Sequence, residues 1–334
     1  MTRIPPTLGR RSFAALAGTT LTGTLAMPGL ARAQAAWPDR PVRVIVPFPG
    51  GSTPDIAARA VAAHFTTAFG QPFVVDNRSG AGGNIGTDAI AKATDGHVIG
   101  VSINSPLAVA PALYPNLPYD PRRDLVPISL LVRSPQLLVV HPSVPATDLA
   151  GFIAYAKANP GKMTYASVGA GSGSHLAMED FMARTGTTME HAPYRGFPPA
   201  VLDLVAGRIE TMFVSAGAVL AQVNEGRVRA LAVTADARIP TAPNVPTLAE
   251  AGLPDATSYG WVALVAPSAT PAARVARLAT EAQAALADAR TRTTLEAAGF
   301  EIVASSPEQA AAYIATEAER WGGLVRRLGI RIDS

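Results

Sequence analysis

The chain has 334 residues, enough for two domains; 48% are hydrophobic and 16% charged, which excludes a disordered chain, and it has no cysteine. Without cysteine there is no disulfide, no thiol nucleophile and no Cys-ligated metal. The formal charge of +3 looks basic, but residues 1–33 carry four arginines and no acid, so without them it falls to −1 and no basic surface argues for nucleic acid.

Those first residues read as an export signal. Arg3, Arg10 and Arg11 form a basic start, "SFAALAGTTLTGTLAMPGL" is apolar and small, and Ala31-Arg32-Ala33 gives an A-x-A cleavage pattern. Arg10-Arg11-Ser12-Phe13 also matches the core of a twin-arginine signal, so either export route is open. A first membrane span is the weaker alternative, because Thr, Gly and Pro interrupt the apolar run.

The mature chain then alternates short β-branched runs with alanine-rich helical stretches. Residues 42–48 predict a buried strand, 55–69 a helix closed by Gly70, and 73–78 a second strand. Residues 80–94 give a glycine-rich turn into a helix, and 97–103 a third strand. This order implies a parallel sheet with helices on its faces. "ISLLVRSPQLLVVHP" (128–142) reads as two strands around a bend. A second unit follows: helix 149–162, strand 163–169, loop and helix 171–186, strand 189–195, helix 198–208, strand 209–215, helix 218–227 and strand 228–234. Residues 261–271 read as a strand leaving that unit, followed by helices over 272–288 and 292–299, a strand over 300–304 and a terminal helix opened by Ser306-Pro307-Glu308. The tail is too short for a third domain. The expected organisation is therefore a signal at 1–33, one α/β lobe from 34–136 plus 261–334, and a second from 137–260. Two crossings between them make a hinged pair with a cleft, where small ligands prefer to bind.

Three glycine-rich loops lie between a strand and a helix. "FPGGSTPD", Phe48 to Asp55, lacks the lysine of a phosphate loop: the first cation after it is Arg59. A carboxylate needs only amides and hydroxyls, which Gly50, Gly51, Ser52 and Thr53 can supply at a helix start. Asp55 alone would also be explained as a helix cap on a structural turn. "GAGSGSH", Gly169 to His175, fails as a dinucleotide fingerprint, because Ser174 stands where the third glycine belongs. It fails as a nucleophile elbow because Ala170 holds the place of the first glycine. It reads as a second acceptor of negative charge, with His175 structural or a hydrogen-bond donor. "SGAGGNIG", Ser79 to Gly86, reads equally as a ligand loop or as glycines permitting close packing or approach to the other lobe. His64, His97, His141, His175 and His191 show no metal-ligand spacing, and no catalytic constellation is visible. No metal, cofactor or catalytic residue is expected. The alternative class, a secreted α/β hydrolase, would need a Ser–His–acid set assembled from distant positions.

Taken in order, "WPDRPVRVIVPFPGGSTPDIAAR", "QPFVVDNRSGAGGNIGTDAIAKATDGH", "LYPNLPYDPRRDLVPISLL", "PGKMTYASVGAGSGSHLAMEDF", "HAPYRG" and "GRVRALAVTADAR" resemble the Bug family, the TctC-like solute-binding proteins of tripartite tricarboxylate transport systems. The resemblance implies a monomeric periplasmic binding protein of type II-like α/β fold. Each lobe would be a mixed, mostly parallel sheet flanked by helices, and the cleft between the lobes would close on a small organic acid. It implies delivery to membrane permease subunits or, in some systems, to a sensor kinase. By position it places a carboxylate at Phe48, Gly50, Gly51, Ser52, Thr53 and Asp55. Asn104 and Ser105 would stand at the ligand level. Ser172, Gly173, Ser174 and His175 would act from the second lobe, and Tyr194, Arg195 and Gly196 would line the cleft. Two departures stand out. The family's first loop usually reads F-x-P-G-G-x-x-D, with its glycines one place later. Many relatives also carry an aspartate after "ETMF", where this chain has Val214 and Ser215. Without that acid the expected ligand is not an amino acid, or its amine is met by Ser215 and water.

Overall fold

The computed structural model describes residues 37–330, and the export-signal reading of residues 1–33 lies outside them. Strand β1 (Val42–Val46) pairs in parallel with β2 (Phe73–Asn77) and β3 (Val98–Ile103). The connections are α1 (Thr53–Phe69) and α2 (Asn84–Ala91). Helix α1 buries Ala57, Ala58, Val61, Ala62 and Phe65, a stripe at helical spacing, and ends at Gly70 with φ 69°, the left-handed geometry that glycine accepts freely. Beyond β3 the chain winds into a π-type turn (Ser105–Val109), the short helix α3 (Ala110–Leu113) and α4 (Pro121–Asp124), none of which the sequence pattern announced.

The expected bend at 128–142 is instead one continuous strand, β4 (Leu125–Val140). Its first part pairs antiparallel with β9 (Tyr259–Pro267), from Leu125 to Pro135, and with the short β10 (Glu301–Ile302). Its second part pairs with β7 (Thr211–Ser215), starting at Gln136, and with β8 (Arg229–Val233). Pro135 falls between Arg133, opposite β10, and Gln136, opposite β7, so on that side no ladder partner needs its missing N–H. The strand tolerates Pro135 because it is changing sheets there, and its other proline, Pro127, stands at a register shift opposite β9.

The second sheet carries β5 (Thr164–Ser167) parallel to both β6 (Glu190–Pro193) and β7. Helices α5 (Leu149–Ala158) and α6 (Gly173–Thr185) cover one face, with Phe152, Met178 and Phe181 buried there. Helices α7 (Phe197–Val205) and α8 (Ala216–Asn224) cover the other, burying Val201, Leu204 and Val219. The first sheet is likewise sandwiched. Helices α1, α9 (Ala272–Ala287) and α10 (Ala289–Ala297) lie on one side, and α11 (Pro307–Leu328) lies with the π-type turn on the other. Helix α11 opens as the sequence suggests. Ser306 and Gln309 form a reciprocal capping box, and Gly329 closes the helix. Trp261 and Trp321 both donate their indole N–H to Glu317 Oε2, at 3.0 and 2.8 Å, tying α11 to the crossing strand β9.

The parallel ladders decide where the site can be. β1, β2 and β3 run the same way, so their C-terminal ends lead to the loops at 47–52, 78–83 and 104–105. β5, β6 and β7 likewise lead to 168–172, 194–196 and 216. Ligands of open α/β sheets bind beyond such strand ends.

Candidate functional site

In the first loop the carboxylate of Asp55 is almost wholly buried and fully committed. Its Oδ2 accepts from the Gly51 amide and from Arg59 Nε, both at 2.9 Å, and its Oδ1 accepts from Asn77 Nδ2 at 2.9 Å. Asn77 Nδ2 also donates to the Phe48 carbonyl at 2.8 Å. Burial pushes the Asp55 pKa up, and the Arg59, Gly51 and Asn77 donors outweigh it, leaving the group below its ordinary value. Asp55 is therefore the tie that shapes the loop. It consumes the Gly51 amide, and Ser52 donates its amide to the Pro49 carbonyl. Among the described residues the amides of Gly50 and Thr53 have no acceptor and the buried Ser52 Oγ has no partner. Ser52 caps α1 by backbone conformation alone, because its side chain accepts no hydrogen bond from the helix.

The second loop is braced in the same way. Ser172 Oγ caps α6 by accepting from the His175 amide. Ser174 Oγ accepts from the Val168 amide at 3.1 Å and contacts Ser172 Oγ at 3.1 Å. Both hydroxyls hold the loop. The amides of Ala170, Gly173 and Ser174 are the ones without an acceptor among the described residues. His175 Nδ1 accepts from the Gly171 amide at 3.1 Å, so the ring is a brace below the loop. It stacks on His191 at 4.3 Å, and His191 stacks on Tyr165 at 4.9 Å. Burial, with His191 beside it, drives the His175 pKa down to about 3, and burial drives that of His191 to about 4. Tyr165 donates to Glu179 Oε1 at 2.6 Å, and burial with this bond pushes the phenol up.

Ser167 Oγ lies 2.6 Å from His191 Nε2, a Ser–His pair of the kind a hydrolase needs. Ser167 is wholly buried, and no carboxylate bonds His191 among the described residues, since Glu179 is taken by Tyr165. The pair has neither an orienting acid nor access to a substrate. No group of three His, Asp or Glu among the described residues could hold a metal ion.

The third loop divides its glycines by task. A Cβ on Gly83 (φ 97°) would strike Phe48 and Pro106 at 2.9 Å, and one on Gly86 would lie 2.6 Å from Pro47 Cα, so both are packing glycines. Gly82 (φ 63°) instead faces the second sheet's loop: its Cβ position is 3.7 Å from the Ala170 carbonyl, from Ser105 Oγ and from Tyr114 Oη. Gly171 meets the first half too, with its Cβ position 3.4 Å from Ser105 Oγ and 2.4 Å from Leu113 Cδ1. Thus the loops at 80–83, 104–113 and 169–173 adjoin one another across the two sheets.

The remaining expected residues scatter. Asn104 and Ser105 are buried at this junction, and Asn104 Nδ2 and Ser105 Oγ have no partner among the described residues. Tyr194 gives its hydroxyl to Asp203 at 2.8 Å, Arg195 is exposed, and Gly196 leads into α7. Ser215 Oγ is 2.7 Å from Ser134 Oγ, which also donates to the Gly299 carbonyl at 3.2 Å; this knots the strands where β4 changes sheets. Val214 is core. The structure adds one residue that the sequence reading passed over. Gln136, at the changeover of β4, is 3% exposed and its Oε1 has no partner among the described residues. A Cβ on Gly173 would lie 2.7 Å from Asn104 Nδ2 and 3.4 Å from Gln136 Nε2, so the two amides meet the second loop together. The signal was the strand's one carboxamide, directly after a proline and before the apolar run Leu137–Val140.

The family model of the tripartite tricarboxylate transporter family receptor, TctC, matches residues 57–330. The chain is 39% identical over 298 residues to Protein BugT of Bordetella pertussis, covering 89% of this chain and 91% of BugT. Its fold is similar to that of R. palustris Rpa4515 with adipate (TM-score 0.83, 34% identity, 89% of this chain and 100% of that one). It is also similar to that of MatC from Rhodopseudomonas palustris with bound malate (TM-score 0.80, 32% identity, 86% and 99%).

Proposed function

The chain belongs to the TctC family, the receptors of tripartite tricarboxylate transporters, which includes the Bug periplasmic binding proteins; from that premise we propose that it captures a small carboxylate and performs no chemistry on it. The observation that carries this reading is the pair of braced loops at the starts of α1 and α6, whose amides at Gly50, Thr53, Gly173 and Ser174 have no acceptor among the described residues. Amides at a helix start favour an anion through both their hydrogens and the helix dipole, and each bond to a charged acceptor contributes roughly 1.5–3 kcal/mol. No lysine or buried arginine stands among them, which suits a carboxylate better than a polyphosphate. Bound adipate and malate in relatives support the same class of ligand.

Further steps belong to the same proposal. The lobes run from 34 to 136 with 261–334, and from 137 to 260, and they hinge where β4 changes partners between Pro135 and Gln136. The protein is exported to the periplasm, acts as a monomer, and hands its ligand to membrane permease subunits of a tripartite carrier. A thermal-shift screen against mono-, di- and tricarboxylates tests the core of this. A true ligand raises the melting temperature with concentration, because it binds the native state alone. A protein stabilised by a sugar or a cation and by no carboxylate would refute it.

A further inference from the structure

We infer that Gly217 and Gly299 make a third, non-covalent crossing of the hinge, which positions the two braced loops against a shared ligand without touching it. This rests on the two-lobe reading above. Two strands, β4 and β9, carry the chain from lobe to lobe, and at the crossing they are neighbours, with Ser134 opposite Gly260 and Pro135 opposite Tyr259. A two-stranded ribbon can twist as well as bend, so it does not by itself define one axis. On the other edge of β4 the two sheets meet end to end. Strands β7 and β10 both run antiparallel to β4; β7 leaves it at Ser215, opposite Gln136, and β10 joins it at Glu301, opposite Arg133. They therefore run in line and in the same direction, as one course broken opposite Ser134 and Pro135. At the break the chain turns out of β7 into α8, and comes in from α10 to β10.

The two turns touch backbone to backbone. A Cβ on Gly217 would strike the Ala298 carbonyl, 2.6 Å from its carbon, and one on Gly299 would lie 2.8 Å from Gly217 Cα. Ser134 holds both sides, since its Oγ donates to the Gly299 carbonyl and lies 2.7 Å from Ser215 Oγ. The end of α10 and the start of α8 also carry partial charges of opposite sign, so the contact is attractive. The two glycines are not equivalent. Gly299 follows α10 at φ 80°, which a helix end explains by itself. Gly217 lies inside α8 without a positive φ, where alanine is the better helix former. Its missing side chain is explained by Ala298 alone. A methyl there falls about 1 Å short of ordinary van der Waals separation, from backbone that has no rotamer to change, so the lobes must shift.

The chain has no cysteine, so Val74→Cys on β2 and Leu202→Cys on α7, both exposed and on opposite lobes, take a pair of spin labels whose separation reads the lobe angle. Malate, adipate and citrate serve as ligands in calorimetry. Adding Gly217→Ala to the labelled chain moves the ligand-free separation by about 2 Å or more, because a small step at a hinge grows with distance from it. It weakens the acid that the parent binds best by roughly tenfold, since fewer molecules reach the closed pose. The urea midpoint stays the same or rises, because alanine suits the helix. Ser134→Ala removes the tie without adding bulk and broadens the separation. A Gly217→Ala protein with the parent's separation and affinity overturns the inference and leaves the two lobes standing, as does one that loses only urea stability. An unbroadened separation in Ser134→Ala overturns it too. If none of the three acids binds, the ligand-free separations decide by themselves. A parent whose separation does not change with an acid that calorimetry shows bound overturns the hinged-lobe reading, and this inference with it.

Discussion

Lowering the pH from 7.5 to 5 should remove about 2 kcal/mol of folding stability through His175 alone. The ring is 4% exposed, stacked on His191 and accepting from the Gly171 amide, and its pKa is held near 3. In the unfolded chain the same imidazole titrates near 6.5. The folded value is the lower one, so the unfolded state takes up the proton first as pH falls. Stability is therefore full well above pH 6.5 and declines through 6.5 towards 3. At pH 5 the folded ring is still neutral while about thirty unfolded chains are protonated for each one that is not, which is RT ln 30, or ~2 kcal/mol. His191, held near 4, contributes a loss of the same sign. Urea unfolding at both pH values measures it, in the parent and in His175→Gln, which keeps an acceptor for Gly171 but does not titrate. The parent should lose about 2 kcal/mol more than the variant between the two pH values. Asp55, whose carboxyl lies below its ordinary value, loses its contribution only at lower pH and cancels between the two proteins. An equal loss in parent and variant would refute the claim that a buried neutral imidazole braces this loop.

Two further outcomes follow from the braced loops. Gly173→Ala places a methyl 2.7 Å from Asn104 Nδ2, against a buried amide between the two sheets. It should weaken ligand binding at least tenfold with little change in urea midpoint, as calorimetry and denaturation together will show; unaltered affinity would mean the loops do not approach this closely. Asp55→Asn trades a carboxylate accepting three bonds for an amide. It should lower stability by roughly 1–3 kcal/mol and reduce affinity as the Gly51–Thr53 amides lose their fixed direction; calorimetric and urea curves matching the parent would show that the tie is dispensable.

The elements that position the site were legible where the determinants are local. Gly70 and Gly329 end helices because a left-handed terminus suits glycine, and Ser306-Pro307 opens one because cap and proline act within a single turn. The strand–glycine–helix pattern at 48–55 and 169–175 marked both loops as candidate anion sites for the same reason. It could not say which donors remain free. The Gly51 amide goes to Asp55, whose other oxygen is held by Asn77, 22 residues on, and Ser215 is tied to Ser134, 81 residues away. Nor could it separate the packing glycines, Gly83 and Gly86, from Gly82, which faces the other sheet.

By itself, then, the sequence determined the alternation of strands and helices, the two glycine loops at helix starts and the resemblance to a carboxylate-receptor family. All of these depend on backbone preference and side-chain type within a few residues. Only the tertiary structure decided that β4 runs unbroken through Pro135, that Asp55 and His175 brace the loops, and that Gln136 meets Asn104 beside Gly173. Each of these depends on which hydrogen-bonding groups already have partners, and those partners come from strands far apart in the chain.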